Sequence, residues 1–223
     1  MFAHPFKNTS LVFLRGLGLG IAGSYGRERG QTTNTDLPSY RTSGQQVFFN
    51  FKSASPADAN NTAYAWGPHS RLAPQAYFYY GPFGSLFEYT SSNQEVSFKN
   101  NRQTFDNTAW QVALSYVVTG EPASYRGVSP VRPFDPSEGK WGAFEVAARG
   151  GQLHIDNAAF ADGFADPAKS AGQASEWALG TNWYPNKSVK FVLNYANTYF
   201  NGGAKNGNRP TEKAILARIQ LAF

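Results

Sequence analysis

Cysteine is absent from the 223 residues. That rules out a disulfide framework and a thiolate metal site. Long apolar runs are missing too. No stretch approaches the roughly 18–20 apolar residues of a spanning helix, so a helical membrane protein is excluded. Histidine is scarce: His4, His69 and His154 lie far apart with no metal-ligand spacing. No segment repeats apolar residues at the helical period, and no fixed-period repeat rises above simple hairpins. Charged residues make up 16%, with 20 Lys+Arg against 15 Asp+Glu and a net charge of +5. A basic balance suits nucleic acid, anionic lipid or an anionic solute. Here the basic residues are scattered singly, with no cluster on a helix, so nucleic acid ranks last of the three.

Aromatic residues and glycine are abundant. Aromatics make up 16% of the chain, with 18 Phe, 12 Tyr and 22 Gly, yet mean hydropathy is −0.44. A β-barrel in a bilayer allows this combination, because half of each strand can be polar. The last twelve residues alternate without a slip. Ile215, Ala217, Ile219, Leu221 and Phe223 share one face; Ala214, Leu216, Arg218, Gln220 and Ala222 share the other. Period two is a strand, and a charge in mid-strand means that its face meets water. An amphipathic edge strand of a soluble β-protein would read this way. So would the last strand of a closed barrel whose apolar face meets lipid. With its terminal Phe223, the ending resembles the C-terminal strand of bacterial outer-membrane proteins, where the insertion machinery reads that pattern.

The same period predicts about nine strands, many near ten residues, against a soluble mean of about five or six. They are expected over 16–25, 45–52, 69–80, 85–98, 107–118, 141–155, 175–184, 188–200 and the C-terminal run. The first is glycine-rich on one side, where a backbone or loop can pack close. Residues 11–19 have the length of a signal-peptide core, but Arg15 interrupts it and glycines at 16, 18 and 20 break it. The chain is therefore expected to carry no export signal of its own. If the last strand ends on the periplasmic side, counting back puts the tight turns 81–84 and 185–187 there. Loops 53–67, 156–173 and 201–211 become extracellular. The same count makes 28–44 and 119–140 periplasmic connections of unusual length, expected to fold back into the lumen.

Several stretches, in order, carry a resemblance to a known family: Gly16-Leu17-Gly18-Leu19-Gly20-Ile21-Ala22; Leu37-Pro38-Ser39-Tyr40-Arg41-Thr42; Pro74-Gln75 through Gly84 with Glu88-Tyr89; Tyr116-Val117-Val118-Thr119-Gly120-Glu121; Arg126-Gly127-Val128; Pro133-Phe134-Asp135-Pro136; and Gly139 to Arg149. Taken together they resemble the phosphate-selective porin O/P family over essentially the whole chain. The resemblance implies an all-β, antiparallel up-and-down transmembrane barrel in the bacterial outer membrane. Family members are about twice as long and close a sixteen-strand barrel that assembles as a trimer. On that basis residues 1–223 are one porin-type domain, truncated at the N-terminus and resembling the C-terminal half. An odd count of about nine strands agrees, since bacterial single-chain barrels have even numbers.

An anion pore needs fixed positive charge along a water path, and arginine supplies it as a permanently charged fork. The family is described as having an arginine ladder leading to a lysine at a constriction. Arg27, Arg29 and Arg41 lie where an inward-folded loop of that ladder would be; three solvated loop arginines are the alternative. Alternation places Lys52, Arg149, Lys190 and Arg218 on the lumen side, either on the solute pathway or as wall charges that tune the field. Glu145, on the face of Arg149, is expected to pair with it or with a neighbour. The constriction lysine belongs to the missing half. No catalytic arrangement stands out. His154 and Asp156 share a strand face, and adjacent His69 and Ser70 point to opposite faces. The expected function is passive diffusion of anions, phosphate or polyphosphate, with no enzyme activity, metal or cofactor. The expected partners are small anions, outer-membrane lipid and two further copies in a homotrimer. The rival readings are a general or other-solute porin on the same scaffold, a non-functional barrel fragment, and a soluble β-sandwich binding module.

Overall fold

The computed structural model describes residues 1–55, 57–58 and 60–222. Phe223, the terminal ring of the alternating run, lies outside them. Among the described residues twelve strands run in chain order: β1 Phe2–Ala3, β2 Leu17–Arg29, β3 Tyr40–Arg41, β4 Val47–Phe49, β5 Tyr64–Tyr80, β6 Phe83–Phe98, β7 Asn101–Val117, β8 Ala143–His154, β9 Ala171–Asn186, β10 Val189–Ala204, β11 Gly207–Asn208 and β12 Glu212–Leu221. The one α-helix among the described residues, α1 Ala158–Ala161, is a single turn. Eight strands of 10 to 17 residues form the wall, each antiparallel to the next: β2, β5, β6, β7, β8, β9, β10 and β12. Ten tilted residues suffice to cross a bilayer. At one end β1 adds to β2, and at the other β12 and the short β11 share the far edge of β10.

The wall has two unlike faces. Leu19, Leu72, Phe87, Leu114, Val146, Leu179, Leu193 and Ile219, one from each wall strand, are all exposed on the same side. A water-soluble fold does not leave so wide an apolar surface open. On the opposite face, β2 presents Gly18 and Gly20. A Cβ at either would stand within 2.8 Å of the Phe2 ring, so the glycines let that ring lie flat against the wall. Phe2 there stacks on Tyr77, with ring centroids 5.2 Å apart.

One expected strand is not part of the wall. Of 45–52, only Val47–Phe49 is strand. It pairs with β3 in a separate two-stranded sheet. The physical reason is that Phe48 and Phe49, adjacent in sequence, are both buried, at 1% and 0% exposure. A wall strand keeps only one of its faces apolar, so a segment that hides both cannot belong to it. Among the described residues the long strands therefore number eight rather than nine, and 30–63 is one connection from β2 to β5. It lies at the same end as 155–170: Phe51 bridges Ala165, and the Lys52 N–H donates to the Phe164 carbonyl at 2.8 Å. Thus 28–44 is not at the end of the tight turns, as the strand count had put it. Segment 118–142 does lie there, with Ala123 donating to the Gly81 carbonyl and Phe134 to the Pro185 carbonyl.

The cores sit on the inner face. At one end Phe48, Phe49, Phe51, Phe105, Phe164 and Phe200 pack 30–63 and 155–170 against the wall. At the other, Val117, Ala123, Val128, Ala143 and Tyr184 hold 118–142.

Candidate functional site on the inner wall

The β3–β4 hairpin projects inward, and polar tethers hold its tip. The Thr42 hydroxyl donates to Glu212 at 3.0 Å, and the Ser43 hydroxyl donates to Glu176 at 2.9 Å. Arg149 donates to Ser43 Oγ at 2.8 Å and forms an ion pair with Glu176. Glu176 also accepts from Thr198 at 3.0 Å. On the flanks, Asn107 donates to the Tyr40 hydroxyl at 3.3 Å, and Arg209 donates to the Val47 carbonyl at 2.8 Å. The hairpin thus touches side chains from β7, β8, β9 and β12. Burial pushes the Tyr40 phenol pKa up, opposed by the Asn107 hydrogen bond and the Arg71 charge, so it serves as a neutral hydrogen-bonding group.

Between the hairpin tip and the wall lies a cavity of 280 Å³. Arg41, Thr42 and Ser43 line it from the hairpin; Glu88, Gln111, Arg149, Gln152 and Glu176 line it from the wall. Both charge signs are present. Arg149 is engaged by Glu176, whereas the Arg41 guanidinium reaches the Gln45 carbonyl at 3.3 Å. Toward the tight-turn end, Lys190 stands 5.0 Å from the Tyr184 ring centroid. Arg218 is cross-strand from Val192, on the same face as Lys190. Glu145 is not paired with Arg149; it accepts from Asn182 at 2.7 Å and from Tyr184 at 2.8 Å.

The structure therefore brings Arg41 beside Arg149, and Lys190 beside Arg218. It separates the other three expected residues from them. Arg27 and Arg29 are not loop residues: β2 runs through both. They alternate with Glu28, whose carboxylate meets inward-facing His69 and Gln94, so they share the face of Leu19 and Ile21. Lys52 lies beyond β4 rather than on a wall strand, its ammonium 5.6 Å from the Phe98 ring centroid.

Sequence reading missed the tethering residues Thr42, Ser43, Glu176 and Glu212. The hydroxyl pair directly before Gly44 was the available signal. It also missed an inner-face cluster in which buried His69 contacts Glu28 through Nδ1 at 2.9 Å and Ser92 through Nε2 at 3.0 Å. These three residues come from β2, β5 and β6, and only the strand register unites them.

A family model described as phosphate-selective porin O and P matches residues 15–223. The chain is similar to Porin O of Pseudomonas aeruginosa, 24% identical over 208 residues. The match covers 92% of this chain and 43% of the relative, so the chain spans less than half the length of that curated relative.

Proposed function

The chain belongs to the phosphate-selective porin O and P family, and from that membership we propose that it forms part of the wall of an outer-membrane pore through which small anions, phosphate above all, diffuse passively. One observation carries the reading. Every wall strand turns apolar side chains to one side, while the polar side holds a hairpin in place over a charged cavity. The first side suits lipid and the second suits a water path.

In this reading 1–223 is one porin-type domain and supplies about half of a sixteen-strand barrel, which assembles as a homotrimer. The end of β12 faces the periplasm, so turns 81–82 and 187–188 do too, and the hairpin descends from the extracellular end. An entering anion meets Arg41 and Arg149 at the cavity, then Lys190 and Arg218 nearer the tight turns. Arginine suits the first encounter because its planar fork matches phosphate oxygens and is weakly hydrated. Weak, repeated contacts along the path allow release as well as entry. Polyphosphate would use the same path in extended form. The family is one of channels, and no turnover is part of the proposal.

A second reading, a general porin on the same scaffold, draws on the carboxylates. Glu28, Glu88, Glu145, Glu176 and Glu212 share the inner face with the cations. Planar-bilayer recordings of the full-length protein separate the two. A phosphate-selective pore gives an anion-type reversal potential in a KCl gradient, and added phosphate reduces the chloride current. Anion preference without block by phosphate favours the general porin. Cation preference would sink the phosphate reading.

A further inference from the structure

We infer that Arg27, Arg29 and Arg102 form a binding site on the outside of the wall for the phosphate groups of a lipid headgroup. Arg29 and Trp66 are cross-strand partners on the face opposite Glu28, and the guanidinium carbon lies 5.7 Å from the ring centroid. Arg102 reaches the same ring from β7, at 4.5 Å. Its cross-strand partner Ser97 follows Val96, a member of the inner core, so Ser97 and Arg102 face outward. Arg27 is two residues before Arg29 on the same face of β2, and all three arginines are exposed. Two permanent charges thus flank one indole, and Arg27 stands at the next same-face position of β2 from Arg29. No carboxylate among the described residues lies within ion-pair distance of any of them. Two carboxylates share this outer face. Glu95 lies over Gly67, and Asp106 accepts from Ser91 at 2.9 Å.

Depth argues for a headgroup. From Leu17 to Arg29 there are twelve steps of about 3.3 Å, about 40 Å along the strand. At a tilt of about 40° that is about 30 Å along the membrane normal, just past an apolar band about 25 Å tall. The arginines therefore stand at the level of polar headgroups, with Trp66, Tyr64 and Tyr25 beside them as an aromatic girdle. Guanidinium groups bind phosphate oxygens in pairs, and an aromatic ring holds them splayed at little entropic cost. A free anion in the pore would not reach this face.

The proposal rests on the barrel reading above, and its test keeps the two apart. The full-length protein in detergent is titrated with bis-phosphorylated lipid A, and bound lipid is counted by native mass spectrometry. Replacing all three arginines (Arg27→Gln, Arg29→Gln, Arg102→Gln) should weaken binding at least about tenfold. Lipid A stripped of its phosphates should bind the unmodified protein as weakly, an arm that needs no variant. Unchanged affinity in either arm overturns the site. Bilayer recordings of the triple variant should show unaltered anion selectivity. Lost selectivity would return these arginines to the pore and overturn the site while the porin reading stands. An unmodified protein that conducts no anions sinks the porin reading instead.

Discussion

Gly44 occupies a point where a side chain has no room. A Cβ there would stand 1.8 Å from Glu212 Oε1 and 3.3 Å from the Ala214 side chain. The carboxylate is the more mobile obstacle, so Gly44→Ala should displace it and break its bond from Thr42. A hydrogen bond to a charged group contributes about 1.5–3 kcal/mol. We expect the hairpin amides to lose protection by about that amount in hydrogen exchange, and Thr42→Val to reproduce the loss. Asp135 offers a pH handle at the other end. The Ser137 hydroxyl donates to it at 2.6 Å and the Ser137 N–H at 3.1 Å. Its carboxyl is held below the ordinary 3.8, first by the Ser137 side chain, then by the Ser137 and Glu138 amides and by Lys140. A depressed folded value means the stabilisation is complete above the ordinary value and is lost as pH falls through the lowered one. Protection factors in 118–142 should therefore fall only below pH about 4, and Asp135→Asn should remove that pH dependence. Which face a residue occupies was legible in the sequence where alternation was unbroken. Arg149, Lys190 and Arg218 follow from it, because each lies within a wall strand. Arg27 and Arg29 did not, because their polar neighbours suggested a loop while β2 continued through them. The partner of Arg149 is Glu176, across the strand pair, and a single strand's spacing carries no register.

Strands offer a sharper test than any single tether, because adjacent residues face opposite solvents. Ala147 and Ala148 sit in the middle of β8. Ala147 shares the face of Arg149, while Ala148 pairs with outward Leu114 and Leu179. Arginine at a lipid-facing midplane site costs about 2–4 kcal/mol. Ala148→Arg should lose about that amount in urea unfolding from lipid vesicles, and Ala147→Arg should lose much less. Equal costs would mean the two faces see the same medium. The same alternation explains why eight of the nine expected strands overlap wall strands while 45–52 does not. Its pattern placed Phe48 among polar residues, at odds with a wall strand. The contradiction was visible, but its resolution needed the buried hairpin, whose Phe48 packs on Phe200 at 6.1 Å between centroids. Long-range partners of this kind leave no local signature.

For the whole molecule, what matters is how the ladder ends. Among the described residues, β12 pairs with β10 on one edge, and β2 carries only the two-residue β1 on its free edge. In water such edges invite other strands. In hydrocarbon each unmet N–H or carbonyl costs several kcal/mol, so a sheet spanning a membrane must close or find partners. Eight wall strands enclose no wide lumen by themselves, and the inner face is already filled at both ends by 30–63 and 118–142. Chain 1–223 reconstituted alone should therefore give no steady unitary conductance, or only irregular current from oligomers joined edge to edge. A chain long enough to close the proposed sixteen-strand barrel should give discrete, uniform steps in the same bilayers. Recording both under identical salt decides the matter. Steady steps from the isolated chain at high dilution would mean that these strands close among themselves, and the share of the barrel assigned to this chain would have to be redrawn.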